Sequence, residues 1–111
     1  MLRVSTLVLA LTFVAMGCGA AQAEEPVVTV TIKDHRFIPE EVEIPAGKKV
    51  KLIVKNEDAT PEEFESFELN REKIVAGKSQ AVIFIGPVSA GAYPFFGEFN
   101  KDTAKGRLIA K

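Results

Sequence analysis

Three groups of side chains in this sequence have the chemistry to hold a metal ion. His35 is the only histidine in the chain. Glu62-Glu-Phe-Glu65 is a short acidic run, and Glu98 stands between Phe96 and Asn100. On an extended strand Glu63 and Glu65 point to one side and Phe64 to the other. The phenyl ring can then anchor a core while two carboxylates stand side by side on the opposite face. Closely spaced carboxylates repel, which raises the pKa of one of them unless a cation neutralises the pair. Imidazole and carboxylate donors without sulfur suit Fe(II), Fe(III), Cu(II) or Mn(II). Each group also has a plainer reading. His35 can be a solvated loop residue, the acidic run a solvated face, and Glu98 a strand-end acid that deters edge pairing.

Other chemistries find little footing. No glycine-rich phosphate loop follows a strand, no serine or cysteine nucleophile has a histidine partner in context, and no zinc motif is present. Two carboxylates could serve a glycosidase, but a sandwich of this size offers a poor cleft. Cys18 is the only cysteine among 111 residues, and the net charge is −1. That near balance gives no reason to expect nucleic acid or an anionic membrane surface as partner.

Residues 1–23 read as a secretory leader. Arg3 supplies the positive start, Leu7 to Met16 the apolar core, and Ala21-Gln-Ala23 a small-x-small cleavage site before Glu24. The alternative is a lipoprotein acylated at Cys18 after Ala15-Met-Gly17, which would tie the protein to a membrane through lipid. Either way residues 24–111 form one exported, periplasmic domain without a disulfide. Losing Arg3 with the leader takes one positive charge from the −1 of the whole chain and leaves −2.

The domain that must position these side chains shows period-two alternation closed by turn residues. Val28, Val30 and Ile32 alternate with polar residues, as do Val42 and Ile44, and Val50, Leu52 and Val54. Further runs are Phe64–Phe67, Lys73–Val75, Ala81–Ile85, Tyr93–Phe99 and Arg107–Ala110, with breaks at Ala76-Gly77, Gly86-Pro87, Ser89-Ala-Gly91 and Gly106. The spacing predicts an all-β Greek-key sandwich or barrel of seven to eight antiparallel strands. Pro94 within a run suggests an edge or a bulge, and Glu68–Glu72 could hold one helical turn. Alternation assigns most of the aromatic residues, including Phe84 and Phe99, to the core. Phe96 is the exception, and with Phe67 it is a candidate docking patch.

Several ordered patterns together resemble the cupredoxins, the small β-sandwich family of plastocyanin and azurin. They are Phe37-Ile-Pro39, Val42-Glu-Ile-Pro-Ala-Gly47, Val50 to Asn56, Thr60-Pro-Glu-Glu-Phe64, Gly91-Ala-Tyr93 and the loop Tyr93 to Gly106. The resemblance implies a cupredoxin-like sandwich whose four copper-ligand positions fall on Glu62, Gly97, Asn100 and Ala104. No thiolate or imidazole occupies any of them, so the resemblance implies no type 1 blue-copper centre. It also implies that the residues before Phe37 lie at the same end as the ligand loops, bringing His35 near Glu62 and Glu98. Lys33-Asp-His-Arg-Phe37, Glu62-Glu-Phe-Glu-Ser66, Glu72-Lys73 and Phe95-Phe-Gly-Glu-Phe99 are similar to periplasmic cupredoxin-like proteins of bacterial high-affinity iron permease systems.

The expectation is therefore an exported protein that binds an iron or copper ion through His35, Glu62, Glu63, Glu65 and Glu98. It would act beside an iron permease and other periplasmic iron-uptake components, with a ferroxidase-like oxidation of Fe(II) as an option. The alternatives are a metal-free interaction module and a periplasmic copper carrier.

Overall fold

The computed structural model describes residues 25–111, so the expected leader and Cys18 lie outside the described residues. Nine strands follow in order: β1 Val27–Lys33, β2 Arg36–Ile38, β3 Glu41–Ile44, β4 Val50–Asn56, β5 Glu62–Ser66, β6 Arg71–Val75, β7 Ser79–Ile85, β8 Gly91–Gly97 and β9 Lys105–Ala110. A single 3-10 turn, Glu98–Asn100, separates β8 from the final loop. The strands form a four-stranded sheet in the order β2-β1-β4-β7 and a five-stranded sheet in the order β3-β9-β8-β5-β6.

The all-β sandwich matches the sequence reading, but the sheets are mixed rather than antiparallel. β1 pairs parallel with β4, and β3 pairs parallel with β9. Between β1 and β4 the chain makes the β2 hairpin and crosses to the other sheet as β3, so no tight turn forces β4 to reverse against β1. The strand beyond those expected from the sequence is the three-residue β2, whose Ile32↔Phe37 pairing folds it back onto β1.

Both sheets turn their alternate residues inward. Phe37, Phe64 and Phe95 meet at the centre, with Phe95 edge-on to Phe37 at 4.8 Å between ring centroids and tilted against Phe64 at 4.9 Å. Ile32, Leu52, Ile85 and Leu108 complete the buried layer. Each such side chain removed from water contributes roughly 1.5–3 kcal/mol. Gly106 lies opposite Phe95 across β8 and β9, and a Cβ there would stand 2.5 Å from the Phe95 ring, so the glycine makes room for the aromatic.

Local details differ from the sequence pattern for identifiable reasons. Phe84 is 45% exposed because β7 puts Ile83 and Ile85, not Phe84, on its inner face. Phe99 is 49% exposed because β8 ends at Gly97 and the 3-10 turn breaks the alternation. The residues after β5 form a turn, closed by Asn70 N–H to Phe67 O, and lead straight into β6 without a helix. Pro94 lies on a central strand, not an edge. The β5–β8 ladder pairs only Phe64↔Gly97 and Glu65↔Phe96, and beyond it the Ser66 hydroxyl donates to Pro94 O at 2.8 Å. The proline therefore falls where the ladder has already ended, and its missing N–H leaves no gap.

Candidate metal site

Glu62 opens β5 with its side chain turned inward, and it is 1% exposed. Its Oε1 accepts from the backbone N–H of Phe99 at 2.9 Å and of Glu63 at 3.0 Å, and its Oε2 accepts from Asn100 Nδ2 at 2.6 Å. Gly97 N–H donates to Ala104 O at 2.9 Å and Ala104 N–H to Asn100 O at 2.8 Å, closing the loop between β8 and β9 over the carboxyl group. Glu62, Gly97, Asn100 and Ala104 thus converge at one point. A Cβ on Gly97 would stand 2.5 Å from Glu62 Cδ and 2.7 Å from Ala104 Cβ, so the space between them is filled by the glutamate. No buried side-chain nitrogen or oxygen among the described residues lacks a hydrogen-bond partner. The donor set at this point is one satisfied carboxyl group and one amide, which does not fit a type 1 copper ion, whose thiolate and two imidazoles are essential.

The neighbouring carboxylates face the other way. β5 alternates buried and half-buried residues, so Glu63 and Glu65 lie on the outer face of the five-stranded sheet. β6 pairs Glu65 with Glu72, and one carboxylate oxygen from each of Glu63, Glu65 and Glu72 lies within 4.8 Å of the others. Partial burial, and then the charges of Glu98, Glu63 and Glu72, push the Glu65 carboxyl above its ordinary range. Glu98 is near enough to repel Glu65, but its carboxylate pairs with Lys101 at 3.2 Å and is not one of the converging three.

His35 sits in the β1–β2 turn, where Asp34 and His35 both have positive φ, 52° and 57°. Asp58 holds this turn by accepting the backbone N–H of Asp34 at 2.8 Å and of His35 at 3.0 Å. The His35 ring is about half exposed and its Nδ1 is 3.9 Å from Asp58 Oδ2. Thr103 ties the turn to the last loop by donating to His35 O at 2.6 Å. A shallow concavity lined by His35, Asn100 and Thr103 lies between them.

Of the five residues singled out from the sequence, the structure brings Glu63 and Glu65 together. Glu62 is turned into the interior, Glu98 is beside the pair, and His35 is held in a separate turn with Asp58. Sequence reasoning missed Glu72 as a member of the cluster. The signal for it was available, because a hairpin that joins Ser66 to Arg71 by a four-residue turn places Glu72 opposite Glu65.

A cupredoxin-like domain model matches residues 5–110. An uncharacterized protein of Rickettsia prowazekii (strain Madrid E) is 49% identical over 82 residues, covering 74% of this chain and 66% of that protein. Auracyanin A, a "blue" copper protein from Chloroflexus aurantiacus, superposes with a TM-score of 0.66 at 13% identity over 77% of this chain and 98% of its own. The metal binding domain of the Streptococcus pneumoniae D39 Cu(I) exporting P-type ATPase superposes with a TM-score of 0.65 at 13% identity, over 77% of this chain and 84% of its own. At that identity the two structures establish the shared fold alone. The match of the domain model over nearly the whole chain, on a two-sheet sandwich whose last loop closes over Glu62, means that the chain belongs to the cupredoxin-like family.

Proposed function

We propose that this protein captures a hard metal ion, iron before copper, at Glu63, Glu65 and Glu72 and works beside an iron permease in the periplasm. The observation that carries the reading is the convergence of three carboxylate oxygens within 4.8 Å on one sheet face. Oxygen donors of this kind suit Fe(II), Fe(III) and Mn(II), and Cu(II) less selectively. The permease association rests on the similarity of Lys33-Asp-His-Arg-Phe37 and Phe95-Phe-Gly-Glu-Phe99 to cupredoxin-like proteins of iron uptake systems. The absence of a type 1 centre is supported by the single histidine, the lack of cysteine in residues 25–111 and the filled space at Glu62.

A second reading, a metal-free module that docks to another periplasmic protein, is favoured by one observation. Phe67 is 72% exposed and packs on Phe96 at 5.4 Å between centroids, leaving an apolar spot beside the acidic cluster. Titration of the mature chain with Fe(II), Fe(III), Cu(II) and Mn(II) separates the two. Iron binding at about micromolar or tighter that is lost in Glu65→Gln/Glu72→Gln and kept in His35→Ala supports the metal site. No binding of any of the four ions leaves the docking module.

A further inference from the structure

The near-zero net charge conceals a division between the two sheets. The strands of the four-stranded sheet, β1, β2, β4 and β7, contain Lys33, Arg36, Lys51 and Lys55 and no aspartate or glutamate. The strands of the five-stranded sheet carry six acids, Glu41, Glu43, Glu62, Glu63, Glu65 and Glu72, against four bases, Arg71, Lys73, Lys105 and Arg107. Alternation places all four bases of the first sheet on its outer face, since Val30, Ile32, Leu52 and Val54 point inward.

Apolar side chains share that face. Val27 and Phe84 flank Lys51 across three strands, and Ile38 stands opposite Thr31, which is itself beside Lys55. Val27, Ile38, Val82 and Phe84 are 55%, 51%, 39% and 45% exposed, four of the seven large apolar residues that the described residues expose. Lys49 lies over the Phe84 ring at 4.7 Å, adding a further cation at the margin, where Glu25 approaches it at 3.5 Å.

We propose that this face docks on a lipid surface rich in anionic headgroups, with the lysines among the phosphates and the aliphatic and phenyl groups at the headgroup boundary. The charge of the face favours lipid: its strands present four bases and no acid, the complement of a layer of anionic headgroups. A bilayer needs no shape complementarity, and it rewards each basic residue near the surface by about fivefold in binding. The docked orientation turns the acidic five-stranded sheet, with Glu63, Glu65 and Glu72, toward the aqueous side. The proposal is independent of the metal reading.

The test uses the mature chain recovered after export, with its N-terminus determined by mass spectrometry. Its cosedimentation is measured with vesicles of phosphatidylglycerol and phosphatidylcholine, and with phosphatidylcholine alone. We expect binding to the anionic vesicles only, weakening as salt is raised. Lys33→Glu/Lys51→Glu/Lys55→Glu should lower it by roughly a hundredfold or more. Lys73→Glu/Lys101→Glu/Lys105→Glu changes the net charge equally but leaves this face intact, and should keep most of the binding. Circular dichroism checks that both variants fold; should the first not, the single variants Lys33→Gln and Lys55→Gln each lose about fivefold. No binding of the parent to anionic vesicles at low salt overturns the proposal, as does equal loss in the two triple variants.

Discussion

Asn100 Nδ2 donates a 2.6 Å hydrogen bond to Glu62 Oε2 from a loop 38 residues further along the chain. With the N–H of Phe99 on Oε1, the pair fastens the β8–β9 loop to the start of β5. Glu62→Ala removes the acceptor for two backbone N–H groups and one amide. At about 1–3 kcal/mol for each buried group left unsatisfied, partly relieved by entering water, the loss in urea unfolding should be about 3–5 kcal/mol. Asn100→Ala should cost about 1–3 kcal/mol. Glu62→Gln keeps a carbonyl oxygen for the backbone donors and lets Asn100 present its own oxygen to the new amide, so it should cost about 1 kcal/mol. Equal losses for the Gln and Ala variants would contradict this account.

Gly97 is required by space, not by backbone conformation. Its φ of −94° and ψ of 113° are open to any residue. A methyl group there would overlap Glu62 Cδ and Ala104 Cβ. Gly97→Ala should therefore destabilise by about 1–3 kcal/mol as an overpacked site. In a Glu62→Ala background the added methyl loses one of its two obstacles, so its further cost should be smaller than in the parent. A double-mutant cycle measures this directly, and strict additivity would show that the two residues do not share the space.

How far the sequence foretold these sites depends on the range of the interaction. The outward side of Glu63 and Glu65 follows from a period of two and needs nothing beyond β5 itself. The inward fate of Glu62 does not follow from polarity, since a glutamate is seldom fully buried unless its oxygens are paired. Its partners come from Phe99 and Asn100, and only the position-by-position likeness to cupredoxins brought Glu62, Asn100 and Gly97 together in advance. Phe99 was assigned to the core because alternation was continued past Gly97, where a 3-10 turn resets the direction of the side chains. The parallel pairing of β1 with β4 was illegible because it depends on a crossing between sheets, which leaves no local signature.

Asp58 gives the fold a defined acid limb. The backbone N–H of His35 foremost, then that of Asp34 and the charges of His35 and Lys78, hold its carboxyl below the usual range despite partial burial. A carboxyl whose pKa is lower folded than unfolded stabilises the fold above the unfolded value, about pH 4. That contribution is lost as pH falls through the lower folded value. Asp58→Asn should flatten the stability profile below about pH 4 relative to the parent. It should also loosen the Asp34-His35 turn, read as a rise in amide hydrogen exchange at those two residues. Parallel stability profiles for the two proteins in acid would remove Asp58 from this role.

Glu65 has the opposite sign. Its carboxyl is pushed up by partial burial and by Glu98, Glu63 and Glu72, so the folded chain binds its proton more tightly than the unfolded chain does. Its contribution to stability therefore grows as pH falls through the raised folded value and levels off below the unfolded one. A bound cation reverses the repulsion that raises this pKa, and protons must compete with it. Glu72→Gln deletes one of the repelling charges and one of the three converging oxygens. In the absence of metal it should lower the Glu65 pKa, seen by side-chain carbonyl NMR, and leave the fold slightly more stable at neutral pH. With iron present it should weaken binding by more than about tenfold. A purely solvated acidic face gives the first result without the second. The same substitution thus helps the empty cluster and harms the loaded one, and metal binding through these carboxylates is the interaction that requires both signs.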